Sequence, residues 1–236
     1  MINEAIILAG GLGSRLREVI GCGIPKPMAI VAGRPFLEFL LAYLNNWGIT
    51  RVIMAAGYMH TVIEDHFGNR FMDMELLYSV EDEPMGTGGA VKKAMQLAKG
   101  SNIYVINGDT YFDVNLRKMA NFHRAKQAEL TMAVRKLADI SRYGRVSRDE
   151  ANRITGFAEK GDETGIGFVN GGTYIFDVKI FSGLDMPDKF SLEKDYLEKF
   201  YRERQMFGFG CFGYFLDIGI PDDYEEAQTA FEGLHF

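Results

Sequence analysis

The chain predicts an α/β fold: a three-layer α/β/α sandwich built on a mostly parallel central sheet. Three observations predict it. Short apolar runs alternate with amphipathic helical patterns through the first half, an order that implies parallel pairing with helices on both faces. Glycine and polar residues gather where the apolar runs end, as they do at the carboxyl ends of strands in open sheets. The composition, 47% hydrophobic and 25% charged over 236 residues, is that of a globular chain long enough to bury a substantial core.

In order, Ala5-Ile6-Ile7-Leu8 reads as a buried first strand. Pro35 to Trp47 reads as a helix with Phe36, Phe39, Leu40, Tyr43 and Leu44 on one face, and Pro35 suits its first turn. Arg51–Ala56 then reads as strand, Met59–Phe67 as helix, Glu75–Val80 as strand, Gly89–Leu97 as helix, Ile103–Ile106 as strand and Leu116–Lys126 as helix. The second half is richer in strands: Leu130–Leu137, Gly144–Ser147, Arg153–Glu159, Phe168–Phe176 and Phe207–Leu216. A charged helix from Ser191 to Arg204 and a closing helix from Pro221 to Phe231 complete the reading. There is no Pro- or Ser-rich linker, low-complexity tract or fixed-period repeat, so one domain over residues 1–236 with an inserted, more antiparallel part is the expectation.

The net charge of −6 argues against a general nucleic-acid or anionic-membrane binder. Two cysteines far apart in sequence, Cys22 and Cys211, fit reduced thiols in a cytoplasmic protein. The N-terminus begins the first strand without a basic leader, and the longest apolar stretch is too short and polar to span a bilayer.

The most informative stretch is Leu8-Ala9-Gly10-Gly11-Leu12-Gly13-Ser14-Arg15-Leu16, followed by Lys26-Pro27. Glycines directly after a strand let the backbone turn tightly and bring N–H groups against a ligand. Arg15 and Lys26 add permanent positive charge beside them. Strand, glycine turn and two cations together describe a polyphosphate cradle. It is not a dinucleotide fingerprint, because Leu16 stands where the third glycine belongs, and it is not a P-loop, because no Gly-Lys-Ser or Gly-Lys-Thr occurs.

Five further segments stand out. In Asn107-Gly108-Asp109, an aspartate at a strand end suits either a divalent metal at a phosphate site or an Asx turn. Asp217 repeats the arrangement, and spacing alone does not show that the two carboxylates meet. Glu81 through Gly89 carries acids, Gly86, Thr87 and a Gly88-Gly89 pair read as opening a helix whose N-terminus favours anions. A carboxylate there matches the donor edge of guanine, whereas a carboxamide would match uracil or thymine. Glu159-Lys160 offers an acceptor for sugar hydroxyls beside a cation, and Asn170-Gly171-Gly172 places a glycine pair inside a strand, as either a β-bulge or a ligand approach does.

Taken together along the whole chain, from the first glycine turn to Asp217-Ile218-Gly219-Ile220-Pro221, these segments resemble the sugar-1-phosphate nucleotidyltransferase family. The loop Ser79 to Gly89 looks most like its guanylyltransferase branch. The resemblance implies a Rossmann-like fold, with residues up to about 115 binding a nucleoside triphosphate and the rest forming a small antiparallel sugar-phosphate-binding part. It implies a transferase that joins GTP to a sugar 1-phosphate, a heptose 1-phosphate favoured, with Mg2+ as cofactor and no protein nucleophile. Leu8, Ala9, Gly10, Gly11, Gly13, Arg15, Lys26, Glu81, Gly86 and Thr87 would bind the nucleotide. Arg15, Lys26 and Asp109 would serve catalysis, and Asp109 with Asp217 would hold the metal. Asn107, Gly144, Glu159, Lys160, Asn170 and Gly172 would bind the sugar phosphate.

Two departures accompany the resemblance: the chain ends without a left-handed β-helix, and Gly88-Gly89 replaces an Ala-Gly common in mannose-1-phosphate enzymes. Mannose 1-phosphate with GTP, or glucose 1-phosphate with UTP or dTTP, are the alternative substrates, and a nucleotide-sugar-sensing subunit is the non-enzymatic alternative. A glycosyltransferase would carry a D-x-D motif, and none occurs. Phe207-Gly208-Phe209-Gly210-Cys211-Phe212 is either core or a homodimer interface.

Overall fold

The computed structural model describes residues 2–11, 16, 20–21, 24–57, 59–159 and 164–233. Its strands are β1 (Glu4–Leu8), β2 (Ile30–Val31), β3 (Arg34–Pro35), β4 (Arg51–Ala56), β5 (Arg70–Phe71), β6 (Met74–Val80), β7 (Asn102–Asn107), β8 (Thr110–Phe112), β9 (Leu130–Leu137), β10 (Arg145–Arg148), β11 (Ile154–Ala158), β12 (Gly167–Asp177), β13 (Met206–Cys211) and β14 (Phe215–Asp217). Its helices are α1 (Phe36–Asn46), α2 (His60–Phe67), α3 (Gly86–Ala94), α4 (Leu116–Ala125), α5 (Val178–Ser182), α6 (Glu198–Phe200) and α7 (Pro221–Ala230).

Ten strands form one sheet in the order β11-β10-β12-β7-β1-β4-β6-β5, with β9 and β13 continuing from β12. The centre, β7-β1-β4-β6, is parallel throughout. Antiparallel strands flank it: β5 on one side, β12 with β10, β11 and β9 on the other. The second half of the chain therefore extends the sheet that the first half begins.

The period-two alternation of strand side chains sorts the core into two layers. Ala5, Ile7, Val52, Met54, Tyr104 and Ile106 pack into one cluster with Phe36, Phe39, Leu40 and Phe231. Ile6, Ile53, Ala55, Ile103 and Val105 pack into the other with Val91, Phe181, Phe190 and Tyr196. The continuous apolar runs 5–8 of β1 and 52–56 of β4 are what a sheet covered on both faces requires. Every residue expected on the inner face of α1 is buried, and Phe231 of the C-terminal segment seals it through tilted and edge-on ring contacts with Phe36 and Phe39. No helix among the described residues is long and apolar enough to cross a membrane.

Several elements differ from the sequence reading. The run Phe207–Leu216 is two strands: β13 pairs with β9 in the main sheet, whereas β14 turns away and pairs with β8. Helix α3 opens at Gly86, before the glycine pair, because Gly86 takes a positive φ of 72° that starts the turn. Pro35 ends the β2–β3 hairpin, one residue before α1 starts. The expected helix from Ser191 to Arg204 is a π-helical turn, Leu192–Leu197, followed by the single turn α6. Its wider winding lets Leu192, Tyr196 and Leu197 all face the core.

Candidate active site

The chain leaves β1 to form β4 and β6 on one side and returns to form β7 on the other, so the strand order reverses between β1 and β7. A crevice opens outside the carboxyl ends of strands at such a point. A cavity of about 960 Å3 lies there, and each parallel strand contributes its exit: Leu8, Gly10 and Gly11 after β1, Ala55 and Gly57 after β4, Val80 and Glu81 after β6, Asn107 and Asp109 after β7. Its size suits a nucleotide. Gly10 cannot be replaced cheaply, because a Cβ there would lie 2.9 Å from the Gly57 backbone nitrogen.

At one end of the cavity, Lys26 begins a short 3-10 turn, Lys26–Met28, that aims its ammonium at two carboxylates. Nζ donates to Asp109 Oδ2 at 2.6 Å and lies 3.8 Å from Asp217 Oδ1. The β8–β14 pairing makes this meeting possible. Asp217 is the register partner of Thr110, next to Asp109, and the Ile218 N–H donates to the Asp109 carbonyl at 3.0 Å. Gly219 N–H donates to Asp217 Oδ1 at 2.8 Å and fixes that carboxylate further. The two aspartates whose spacing left the question open converge on one cation. Tyr143 stands nearby, its phenol pushed up to about 12 by burial, with the charge of Asp217 adding to the effect.

On the opposite wall, Glu81 follows β6, and its Oε2 accepts the Met85 N–H at 2.8 Å. Part of its accepting capacity therefore holds its own loop while the residue lines the cavity with Gly86 and Thr87. The expectation that Gly88-Gly89 presents free amides to an anion is not met. Gly88 N–H donates to the Phe190 carbonyl at 3.0 Å, and a Cβ on Gly88 would strike the Phe190 ring at 2.2 Å. The pair serves helix packing against residues 188–190.

The residues expected to bind a sugar phosphate fall into two groups. Asn107 lines the cavity, and its Oδ1 is buried without a hydrogen-bond donor among the described residues. Gly172 lies against it: with φ of 67°, a Cβ would come within 2.9 Å of Asn107 Nδ2. Asn170 Oδ1 accepts the Gly172 N–H at 3.0 Å and its Nδ2 donates to Tyr174 at 2.6 Å, across the register shift that interrupts β12. The glycine pair is thus a bulge that also makes room beside the cavity. Gly144 and Glu159 sit together at the ends of β10 and β11, outside the lining of the cavity, where a Cβ on Gly144 would strike the Ala158 carbonyl at 2.6 Å. Glu159 Oε2 lies 3.4 Å from Lys194 Nζ.

Gly13, Arg15 and Lys160 lie outside the described residues. Ala9 is buried, its N–H donated to the Ala55 carbonyl at 2.8 Å, so it belongs to the sheet rather than the cavity surface. The sequence reading gave no role to Met59, His60, Thr61, Asp82 and Pro84, all of which line the cavity. The strand-end rule was the available signal, since these residues follow β4 and β6, and Met59 takes a left-handed φ of 72° at the start of α2. Among the described residues no group of three or more His, Cys, Asp or Glu side chains forms a metal site.

The chain matches the nucleotidyl transferase family model over residues 4–233. It is 48% identical over 226 residues to the D-glycero-alpha-D-manno-heptose 1-phosphate guanylyltransferase of Aneurinibacillus thermoaerophilus, covering 95% of this chain and 96% of that one. It is 40% identical to the enzyme of the same name from Campylobacter jejuni, covering 94% and 96%. The crystal structure of HddC from Yersinia pseudotuberculosis complexed with GMP-PN superposes with a TM-score of 0.87 at 37% identity, covering 98% of this chain and 100% of that one. A glycine turn after the first strand, a strand-end crevice, a lysine between two aspartates and these likenesses lead to one conclusion: this chain belongs to the nucleotidyl transferase family.

Proposed function

We propose that the protein is a guanylyltransferase that joins GTP to D-glycero-α-D-manno-heptose 1-phosphate, releasing pyrophosphate and forming the GDP-sugar. The class is that of its relatives at 48% and 40% identity, each aligned over nearly its full length. The observation that carries the reading is the meeting of Lys26, Asp109 and Asp217 at one end of a cavity that Glu81 lines.

The chemistry needs no protein nucleophile, because the phosphate oxygen of the sugar 1-phosphate is already ionised at neutral pH. It attacks the α-phosphorus of GTP in line, the bond to the bridging oxygen breaks, and pyrophosphate leaves with that electron pair. The protein's task is alignment and charge neutralisation. Lys26 brings a mobile positive charge to the α-phosphate, with Arg15 assigned to the triphosphate and Lys160 to the sugar's phosphate. Asp109 and Asp217 together suit a hard divalent cation: both already reach one ammonium, and two carboxylates leave the remaining positions to phosphate oxygens and water. A Mg2+ held by this pair would neutralise charge on the triphosphate. Glu81 accepts from the guanine edge, and the buried carbonyl oxygen of Asn107, without a partner among the described residues, serves to accept from a substrate hydroxyl.

Pyrophosphate release over a matrix of four nucleoside triphosphates and the heptose, mannose and glucose 1-phosphates tests the reading. GTP with the heptose phosphate is expected to be fastest. A preference for UTP or dTTP would sink the role given to Glu81. A preference for mannose 1-phosphate would move the enzyme to the neighbouring specificity.

A further inference from the structure

The π-helical turn Leu192–Leu197 contacts Thr87 of the cavity wall and, outside the cavity, Glu159. Toward the nucleotide end, Thr87 Oγ1 donates to Glu193 Oε2 at 2.7 Å and accepts the Leu192 N–H at 2.9 Å. Ser191 Oγ donates to the same Glu193 oxygen at 3.0 Å and caps the Lys194 N–H at 3.2 Å. Toward the other end, the Lys194 ammonium meets Glu159 Oε2 at 3.4 Å. That carboxylate oxygen is buried and takes no hydrogen bond among the described residues, so the ammonium is the partner the structure gives it. Leu192, Tyr196 and Leu197 anchor the turn in the core, so neighbouring residues 193 and 194 are held in opposite service. Lys194 is itself largely exposed, and an ion pair of that kind adds little to stability.

We propose that Lys194 is a positioning residue for the sugar-phosphate end of the site, holding Glu159 in place to accept from the substrate. Because Glu193 on the same turn grips Thr87 of the nucleotide wall, the turn fixes the distance between the two substrates. This rests on the role given to Glu159 above.

The test compares Glu159→Ala, Lys194→Met, Lys194→Arg and the double variant in steady-state pyrophosphate release, using GTP and the sugar 1-phosphate that the wild-type protein turns over fastest. Lys194→Met is expected to raise KM for the sugar phosphate roughly 10-fold, the scale of one weakened hydrogen bond, with KM for GTP and the melting temperature unchanged. Lys194→Arg recovers most of the loss, and the double variant is no worse than Glu159→Ala alone. If Glu159→Ala raises KM and Lys194→Met does not, the positioning role is overturned while the sugar site stands. If Glu159→Ala leaves KM unchanged, the placement of Glu159 falls and the role of Lys194 falls with it. A Lys194→Met protein that loses both KM values and melting temperature together would show a structural strap only, and would also overturn the proposal.

Discussion

The two ends of the central parallel strands carry two clusters of charge that use them differently. At the amino ends, Glu4 of β1 is almost fully buried. Arg51 of β4 donates to it at 2.7 Å, and the amides of Lys99 and Gly100 donate at 2.9 and 2.6 Å. Burial alone would raise its pKa, but the Arg51 and backbone hydrogen bonds outweigh that and hold the carboxyl below its ordinary value. At the carboxyl ends, Lys26 meets Asp109 at 2.6 Å and Asp217 at 3.8 Å, yet both aspartates remain about a third exposed and Asp109 lines a cavity. The chemistry is similar; the difference is saturation. A carboxylate whose acceptor sites are filled by its own chain stabilises the fold, whereas one left open to a cavity is available to a ligand.

The sharpest way to break this contrast is at the saturated end. Glu4→Ala leaves two amides without their partner, while Arg51 keeps Glu75 and the Leu97 carbonyl, and is expected to cost about 2–4 kcal/mol in denaturant unfolding. Substrate KM values should be unchanged in the folded fraction. The open end should behave in reverse: Lys26→Ala and Asp109→Ala are expected to lower turnover by ~10²–10³ in pyrophosphate release, with little change in the unfolding midpoint. Near-normal turnover in either folded variant would remove that residue from the chemistry.

A pH scan sharpens the same contrast. His123 is buried near the start of β7, with ring nitrogens at 2.8 Å from Thr131 Oγ1 and 3.0 Å from Asn102 Oδ1. Burial lowers its pKa to about 4, with Asp177 opposing the shift only in part. The unfolded chain then takes up the proton first, so stability is complete above the unfolded value near 6.5 and falls as pH drops toward about 4. The loss across that window is on the order of 3 kcal/mol. The His123→Asn variant should show a flatter dependence of unfolding free energy on pH between 7 and 4. The smallest effect is expected at Gly172→Ala, where the positive φ and the nearby Asn107 side chain should cost about 1–3 kcal/mol. Kinetically, that variant should weaken sugar-phosphate binding more than GTP binding.

How much of this was legible in the sequence depends on whether a contact is local. Strands Arg51–Ala56 and Leu130–Leu137 fall where their apolar runs placed them, and the four cavity-lining exits follow from the strand-end rule. Lys26, Glu81, Asn107 and Asp109 are therefore both readable in the chain and present at the cavity. The convergence of Asp109 with Asp217 was legible only through the family resemblance, not in the spacing of the residues. It depends on a three-residue strand, β8, that carried no periodic signal, and on a turn at Gly213 within what reads as one continuous strand. A Cβ on Gly213 would lie 1.9 Å from the Asp113 carbonyl, a requirement visible only once the two segments meet. The role of Gly88-Gly89 was misread for the same reason, since Phe190, their partner, comes from a distant segment.

The β8–β14 pairing has a consequence for when the protein comes to life. The parallel pairings β4–β6 and β1–β4 span 24 and 47 residues, and β7 returns to β1 over 99. Asp217 reaches Asp109 only when residues 215–217 dock onto a strand more than 100 residues earlier, a closure whose entropic cost grows with the intervening length. A growing chain therefore lacks the group of Lys26, Asp109 and Asp217 until residues 215–217 have been added.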